Sequence, residues 1–429
     1  MDDSTLSAPS RSTDHSVTSH KTVRPTDVSA EAVRVLIAST FAFTIFFAVW
    51  VMFAIVGLPL RTELKLTESE FALLAAIPIL TGSIFRVPVG ILTDKVGGRN
   101  VMVALLVLVS IPAYLISQAD SYNTLLVLAF FLGFAGTSFA VGVPWTSVWY
   151  PPERQGFALG VFGAGNVGAS ITKLLAPTLV TAVGVGGLAG GFVPGGWRFV
   201  PFAYTGMLLV TALLVFLVSP KHDRKPAQGR SIMDMTRPLK KIRVWRFGFY
   251  YVVVFGAYVA LSLWLPHYYV DVYGVSLPKA GLLTALFIFP ASLLRPLGGW
   301  ASDHLGARRI TSISFAVIAA ASAVLSFERS ITAFTVWVVV IGVAMGIGKA
   351  SVFTYIPQYF PHDVGGVGGL IGAVGGLGGF FLPLMFARAH ESTGDPQSTF
   401  QVMFALAVVS MLFLAVAVWH LKFEEKHHH

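Results

Sequence analysis

The chain has 429 residues, of which 55% are apolar and only 12% are charged, and its mean hydropathy is +0.73. This composition is too apolar for a soluble globular protein and excludes a chain built from soluble enzymatic domains. The chain contains no cysteine, which excludes disulfides, thiolate metal sites and a cysteine nucleophile.

The chain begins with a polar tail. Residues 1–33 are rich in Ser, Thr, Asp and His and lack an apolar segment followed by a cleavage site, so they predict a disordered tail and no signal peptide. Twelve apolar stretches follow, and since a membrane span needs roughly 20 apolar residues, they predict an all-α membrane protein with twelve transmembrane helices. We place these spans at 34–59, 71–92, 101–119, 124–149, 156–183, 198–218, 247–270, 280–300, 309–327, 332–358, 364–387 and 399–421.

A basic segment divides the twelve spans into two sets of six. Residues 219–246 carry nine Lys and Arg residues, which predicts a linker between six-helix bundles at 34–218 and 247–421. The positive-inside rule places the linker and both chain ends in the cytoplasm, as expected for the cell's inner membrane. The formal net charge of +9 suits anionic lipid head groups, and we expect no nucleic-acid partner. Residues 422–429 form a second polar tail, whose final histidines we interpret as the remnant of an affinity tag.

Each half carries the same short pattern near its second span. Residues 86–99 read RVPVGILTDKVGGR, and residues 295–308 read RPLGGWASDHLGAR, at an offset of 209. A second pair of landmarks, Tyr150-Pro151 and Phe360-Pro361 with the glycines that follow each, has an offset of 210. Two landmarks with nearly the same offset predict two pseudo-symmetric halves with a binding site between them near the middle of the membrane.

The pattern G-x-x-x-D-x-x-G-x-R resembles the cytoplasmic loop signature of the major facilitator superfamily, and the chain from about 34 to 421 fits the twelve-helix plan of that family. In that family the loop Asp and Arg tie the cytoplasmic ends of neighbouring helices together in the outward-facing state. The resemblance implies gating roles for Asp94, Arg99, Asp303 and Arg308. The alternative is a short polar loop that only obeys the charge rule.

Four cations and no acidic residue lie inside the predicted spans. They are Arg86, Lys173, Arg295 and Lys349. A Lys or Arg at a helix centre costs roughly 2.5 to 3.5 kcal/mol, so a negative partner is expected, and an anionic substrate can supply it. Arg86 and Arg295 occupy equivalent places in the two halves and predict a two-sided guanidinium clamp. The alternatives are that the arginines extend to the membrane interface and that the lysines pair with backbone carbonyls.

Glycine is dense in the fifth and eleventh spans, where it permits close helix approach. Residues 163–168 read GAGNVG and are followed by Pro177, and the eleventh span contains a glycine-rich counterpart. Together these resemble the paired nitrate signatures of the nitrate/nitrite porter family, although packing alone explains each glycine taken singly. The signature glycines are Gly163, Gly165, Gly168, Gly372, Gly375, Gly376 and Gly378.

This second resemblance implies roles for individual residues. In the porter family one arginine from the second span and one from the eighth hold the anion, which corresponds to Arg86 and Arg295. The signature asparagine, here Asn166, lies close to the anion, and the signature glycines let the helices slide. The second half has Gly376 where the first has Asn166, so the polar contact is expected from one side only.

Aromatic residues are expected to line the site. Phe139 in the fourth span and Tyr251 and Phe255 in the seventh resemble the site-lining aromatics of the porter family. Tyr251, Phe255 and Tyr258 share one helix face, against which a planar trigonal anion can stack. The alternative is that these rings only pack in the core.

These features predict a secondary nitrate transporter that works by rocker-switch alternating access. Import of an anion against an inside-negative potential costs about 2.3 kcal/mol per 100 mV, so protons or a counter-anion must be coupled to it. The resemblance implies that the family contains both modes. We predict nitrate/proton symport because Lys173, which stands where its repeat mate is Pro383, adds a titratable cation to the signature helix. Lys349 and His267 are the other proton-coupling candidates.

The alternative mode is nitrate/nitrite antiport, and the competing functional class is an anion channel. An enzyme is disfavoured because the spans contain no acid/base pair or metal-ligand cluster. We therefore expect no cofactor and no metal. The expected partners are nitrate, nitrite, protons and the lipid bilayer, and the expected state is a monomer.

Overall fold

The computed structural model describes residues 28–225 and 231–427, which form helices joined by short loops. Eleven helices in this part of the chain are long and apolar enough to cross a membrane, and a twelfth span consists of two helices that meet at 42°. The predicted all-α architecture with twelve spans is confirmed. The helices of the first half, span by span, are Ala30–Trp50 with Phe53–Leu64, Glu68–Ile84 with Arg86–Val96, Gly98–Ser117, Tyr122–Leu132 with Gly133–Thr137 and Ser138–Ser147, Gln155–Gly163 with Ala164–Val167 and Gly168–Ala182, and Phe199–Val218.

The second half repeats this arrangement. Its helices, span by span, are Ile242–Tyr251 with Val252–Gly256 and Ala257–Tyr273, Leu277–Leu293 with Arg295–Leu305, Ala307–Leu325, Ile331–Tyr359, Val364–Thr393, and Ser398–His427.

Two boundaries at the chain ends differ from the predicted ones. The first helix begins at Ala30 rather than 34, because the Ser29 hydroxyl accepts a hydrogen bond from the Ala32 N–H and caps the helix. The twelfth helix extends to His427, beyond the predicted limit of 421. The predicted tail up to residue 27, and the final residues 428 and 429, lie outside the described part of the chain.

The described part of the linker is shorter than the predicted segment 219–246, because the seventh span begins earlier. It contains two short helices, Ile232–Thr236 and Arg237–Lys240, while residues 226–230 lie outside the described part. The seventh span begins at Ile242 rather than 247, because Val244 and Phe247 follow at a three-residue spacing and are buried against the bundle.

The twelve spans form two bundles that meet along a few helices. In the first bundle the third span packs against the sixth, and in the second bundle the ninth packs against the tenth and twelfth. Between the bundles, the second span packs along the eleventh and the fifth along the eighth. The interface is therefore formed by the spans that carry the repeated pattern and the glycines.

The two ends of this interface differ. At the linker end, Gly90 meets Gly365 and Gly156 meets Gly299 so closely that a Cβ on any of the four would overlap the facing backbone carbonyl. At the opposite end a cavity of about 490 Å³ lies between the bundles, with Leu73 in its wall. The structure is thus closed at the linker end and hollow at the other.

Candidate anion-binding site

Both candidate arginines begin the second segment of a broken span. The second span breaks immediately before Arg86, and the eighth breaks immediately before Arg295. A proline follows each break, Pro88 in one half and Pro296 in the other, and proline cannot donate the backbone hydrogen bond that would continue the helix. The repeated pattern therefore directs one arginine from each half to an equivalent place at the interface.

Arg86 is buried, with 1% of its surface exposed, and it joins the two halves. Its Nε donates to the Gly136 carbonyl at 3.0 Å, and its Nη1 donates to the Gly372 carbonyl of the eleventh span at 2.6 Å. Its Cζ lies 5.5 Å from the ring centroid of Phe139 and 5.6 Å from that of Phe255. Aromatic faces at such distances favour a cation.

Arg295 approaches the same ring from the other half. It is 1% exposed, and its Cζ lies 5.5 Å from the Phe139 centroid, so the two guanidinium carbons lie within twice that distance of each other. The Nε and Nη1 atoms of Arg295 are buried and have no hydrogen-bond acceptor among the described residues. A buried charged donor without an acceptor is costly, which indicates that an anion completes the site.

Aromatic rings fill the space around the two guanidinium groups. The Tyr251 ring stacks on Phe255 with 4.9 Å between centroids and on Phe139 with 6.3 Å. Between Tyr251 and Ala257 the seventh span forms a π-helical segment, Val252–Gly256, a deviation that is common at functional sites. We call Arg86, Phe139, Tyr251, Phe255 and Arg295 the central cluster.

Asn166 lies on the fifth span, one of the spans at the interface between the halves. One turn before it, Gly163 is so close to the eighth span that a Cβ there would overlap the Arg295 guanidinium. Asn166 is fully buried, and neither of its amide atoms has a hydrogen-bond partner among the described residues. A free amide N–H here is a donor that an anion can use. The other fifth-span signature glycines, Gly165 and Gly168, contact the first span instead.

The eleventh-span glycines mostly shape the cluster. The Gly372 carbonyl accepts the Arg86 hydrogen bond, and a Cβ at Gly375 would overlap the Tyr251 ring. Gly376 lies beside the Arg86 guanidinium group, while Gly378 packs against the Val252 side chain and the Gly256 backbone of the seventh span. Three of the four predicted glycines of this span therefore contact residues of the central cluster.

The two lysines have different surroundings. Lys349 is fully buried, its Nζ lies 3.4 Å from the ring centroid of Tyr258, and the described residues provide no hydrogen-bond acceptor for it. It is near enough to Arg295 to interact with it electrostatically. Lys173 instead lines the cavity at the end remote from the linker.

The loop carboxylates cross the interface at the closed end. Asp94 accepts hydrogen bonds from the N–H groups of Gly365 and Gly366 at 2.9 and 3.2 Å. Asp303 accepts them from Gly156 and from the next N–H in the chain, at 2.9 and 2.8 Å. Each carboxylate thus lies at the N-terminus of a helix of the other half, where the helix dipole favours negative charge.

The loop arginines do not take part in these contacts. Arg99 Nη2 donates to the Phe216 carbonyl at 2.8 Å, and its guanidinium lies 4.4 Å from the Phe216 ring centroid, all within the first half. Arg308 lines a cleft of the second half together with Arg243 and Arg246. The carboxylates therefore link the halves, whereas the arginines stay within them.

Access to the central cluster is covered by two aromatic side chains. The cavity is lined by Trp50 and Tyr258 but by neither arginine. Trp50 lies against Arg86, whose Cζ is 5.6 Å from the indole centroid, and its Nε1 donates to the Pro78 carbonyl at 2.7 Å. An anion entering from the cavity therefore needs these side chains to move.

Two residues near the arginines are not identified from the sequence. Trp50 precedes the first signature and no motif marks it. Ser83 lies three residues before Arg86, and its buried hydroxyl has no hydrogen-bond partner among the described residues. Its spacing from the motif arginine, nearly one helical turn, is the signal that points to it.

This arrangement can bind and desolvate an anion. Two guanidinium groups and an amide supply donors, and the rings exclude water. Among residues 28–225 and 231–427, no group of three or more His, Asp or Glu side chains is placed to hold a metal ion.

Comparison with known proteins gives concordant results. The family model of the Major Facilitator Superfamily matches residues 38–280 and 271–429. The chain is 52% identical to the Thermus thermophilus protein named "Probable nitrate/nitrite antiporter NarK1", over 93% of this chain and 94% of that protein. It is 33% identical to the Bacillus subtilis "Nitrite extrusion protein", over 87% and 91%.

Solved structures share the fold. The transporter FucP in its outward conformation matches with a TM-score of 0.71 at 17% identity, over 89% of this chain and 99% of FucP. The human organic anion transporter MFSD10 matches with a TM-score of 0.73 at 14% identity, over 90% and 100%. The family match and the close sequence relatives together show that the chain belongs to the nitrate/nitrite porter family of the major facilitator superfamily.

Proposed function

We propose that the protein is a secondary active nitrate transporter that works by alternating access, with the central cluster as its anion site. The observation that carries this proposal is the pair of buried guanidinium groups from opposite halves. One of them, that of Arg295, has two donors for which the described residues provide no acceptor. The names of the Thermus and Bacillus relatives, which refer to nitrate and nitrite, support this choice of anion.

The shape of the central cluster favours a small planar anion. The rings of Phe139, Tyr251 and Phe255 stack in series beside the arginines, so the groups around the anion present flat faces. Nitrate is planar and monovalent and can stack against such rings while it accepts hydrogen bonds at its edge. A tetrahedral phosphate fits a flat site poorly.

The orientation follows from charge. The basic linker and both chain ends face the cytoplasm under the positive-inside rule, so the closed end is the cytoplasmic one and the cavity opens outward. In this assignment Asp94 and Asp303 hold the cytoplasmic gate through helix N-termini. Gly90 and Gly156 permit its close packing. Because one chain supplies both arginines, a monomer in the inner membrane is sufficient for transport.

For coupling we propose nitrate/proton symport with Lys173 as the proton-carrying group. Lys173 lines the outward cavity, where it can exchange a proton with water before nitrate enters. Lys349, buried behind the Tyr258 ring, is the second candidate. A neutral lysine amine that accepts one proton as the monovalent anion binds adds one positive charge for one negative charge, so the net charge of the protein does not change.

Nitrate/nitrite antiport is the second candidate function. Among the residues that line the cavity there is no carboxylate, the side chain on which many proton-coupled carriers depend. The name of the Thermus relative also refers to antiport. Exchange of two monovalent anions is electrically silent and needs no titratable group.

The two modes are separated by transport in proteoliposomes. In symport, nitrate entry acidifies the lumen, and Lys173→Met retains nitrate binding but abolishes acidification. Lys279→Met, a change at an exposed lysine of the same charge, is the matched control and should behave as wild type. Symport would be overturned in favour of antiport if the rate of nitrate uptake does not change with an imposed pH gradient and is raised by nitrite trapped inside the proteoliposomes. Saturable counterflow in either mode excludes a channel.

A further inference from the structure

The linker contains a carboxylate, Asp223, that accepts hydrogen bonds from backbone and indole N–H groups of the first half. Asp223 Oδ2 accepts a hydrogen bond from the Arg99 N–H at 2.8 Å, at the N-terminus of the third span. Asp223 Oδ1 accepts from the indole nitrogens of Trp145 and Trp149 at 3.1 and 3.2 Å. Arg224 stacks on Trp149 with 4.3 Å between Cζ and the ring centroid.

The second half repeats the donors. At the repeat offsets of 209 and 210, Arg308, Tyr355 and Tyr359 correspond to Arg99, Trp145 and Trp149. All three line one cleft between the seventh, ninth, tenth and twelfth spans. We call it the arginine–tyrosine cleft, and its polar lining residues are Arg243, Arg246, Tyr250, Arg308, Tyr355 and Tyr359.

Among the described residues, no carboxylate lines this cleft. A Cβ at Gly97 would lie 2.9 Å from Asp223 Oδ2, whereas a Cβ at the equivalent Gly306 meets no described atom within 4 Å. No described atom therefore occupies the space beside Gly306 that corresponds to the position of Asp223 beside Gly97.

Two buried donors of the cleft lack acceptors among the described residues. Tyr250 is fully buried, and its hydroxyl has no hydrogen-bond partner among the described residues; the same holds for the buried Nε of Arg246. Arg243 stacks on Tyr359 with 4.8 Å between Cζ and the ring centroid, as Arg224 does on its tryptophan in the first half. Three guanidinium groups and a buried hydroxyl converge without a negative charge among the lining residues, which is the chemistry of an oxyanion site.

The size of the cleft limits how the ligand enters. Its interior is about 20 Å³, enough for one water-sized group. It shares Arg243 and Tyr359 with an outer groove of about 390 Å³ that also includes Lys241 and Ile242. A ligand fits if it inserts one oxygen atom and leaves its body in the groove. Ile242 and Trp245 beside the groove are 81% and 50% exposed, as expected for side chains that contact lipid.

From these observations we propose that the arginine–tyrosine cleft binds a phosphate group, supplied by an anionic lipid head group or by free phosphate. Guanidinium forks and a hydroxyl match phosphate oxygens. The proposal concerns the second half alone and does not depend on what the central cluster transports.

The first experiment uses the full chain in neutral detergent at constant ionic strength and constant nitrate, with inorganic phosphate as the probe. Phosphate should raise the thermal unfolding midpoint of the wild type, since a ligand that binds only the folded state stabilises it. Arg246→Gln should raise the phosphate concentration needed by about tenfold or more. Arg308→Gln, at an exposed position, should also raise the phosphate concentration needed. Arg309→Gln, at the next exposed arginine, is the control and should leave that concentration unchanged.

The second experiment identifies the source of the phosphate. The protein is placed in phosphatidylcholine nanodiscs with or without phosphatidylglycerol, and the retained lipid is counted by native mass spectrometry. Retention of phosphatidylglycerol that Arg246→Gln removes assigns a lipid head group, while a response to inorganic phosphate alone assigns free phosphate. Either result supports the site.

Two outcomes would overturn the proposal. One is that neither probe binds, or that both bind equally well to Arg246→Gln. The other concerns Glu424 and Glu425, the acidic residues that follow the cleft-lining part of the twelfth span. If phosphate binds only after both are changed to Gln, the chain's own carboxylates occupy the cleft.

Discussion

Replacement of Arg295 by Lys tests the central cluster most directly, because it keeps the charge and removes the planar fork. Arg295 has two buried donors, Nε and Nη1, without acceptors among the described residues, so both are available to the anion. Lysine has one nitrogen on a flexible stem and cannot make a bidentate contact. Loss of one charge-assisted hydrogen bond costs about 1.5–3 kcal/mol, which corresponds to nitrate binding weaker by about 10- to 150-fold.

The assay is equilibrium binding of labelled nitrate to purified protein, followed by initial uptake rates in proteoliposomes. Arg309→Lys is the matched control, since that arginine is exposed at the start of the ninth span and should leave both quantities unchanged. Arg86→Lys should also weaken binding, and in addition it breaks the bond to Gly372 that joins the halves. If Arg295→Lys binds nitrate within about twofold of the wild type, donation by a guanidinium fork is refuted.

Two further changes test the surroundings of the central cluster and the gate. Gly163→Ala places a Cβ where the Arg295 guanidinium lies. Because carbon contacts need about 3.5–4.0 Å, the guanidinium must move, and nitrate uptake should fall by about tenfold or more. Unchanged uptake would show that the position of this arginine is not critical. Asp303→Asn removes the charge that accepts two N–H groups across the closed end, so about 1–3 kcal/mol of closure is lost and the population open at that end rises. Spin labels on cysteines introduced at Arg154 and His304, in a chain without native cysteines, measure this opening, and an unaltered distance distribution would contradict it.

At the closed end, the repeated sequence pattern forms two equivalent contacts between the halves. In each half a loop carboxylate, Asp94 or Asp303, reaches the N-terminus of a helix in the other half. Each contact lies beside a pair of glycines, Gly90 with Gly365 and Gly156 with Gly299, that lets the backbones meet. Because hydrogen bonds and close backbone packing act at the same place, opening requires both to be lost together.

The two halves are not equivalent in their use of charge. Asp223 of the linker accepts hydrogen bonds from N–H groups of the first half, whereas none of the described residues that line the arginine–tyrosine cleft is acidic. In the central cluster the asymmetry runs the other way, since Arg86 is held by two carbonyls and Arg295 has free donors. Pseudo-symmetry thus places equivalent donor groups in both halves, and residue differences between the halves decide which of these donors remain available to a ligand.

Much of this protein follows from the sequence because its determinants are local. Apolar runs of span length set the number of helices, since the cost of placing polar groups in lipid depends on each segment's own composition. The repeated pattern places Arg86 and Arg295 at equivalent positions, and Pro88 and Pro296 break both spans at the same point. The helix ends were less well predicted, as at Ile242, because caps and packing against neighbours decide them.

Only the tertiary structure decides which groups meet. The contact of both arginines with the Phe139 ring, the cover provided by Trp50, and the unequal hydrogen bonding of the arginines depend on residues far apart in the chain. Likewise, the sequence repeat alone does not reveal that Asp223 fills a site whose counterpart near Gly306 is open. Local composition sets what a segment can be, but burial and pairing are properties of several segments together, so they exist only once the helices are packed.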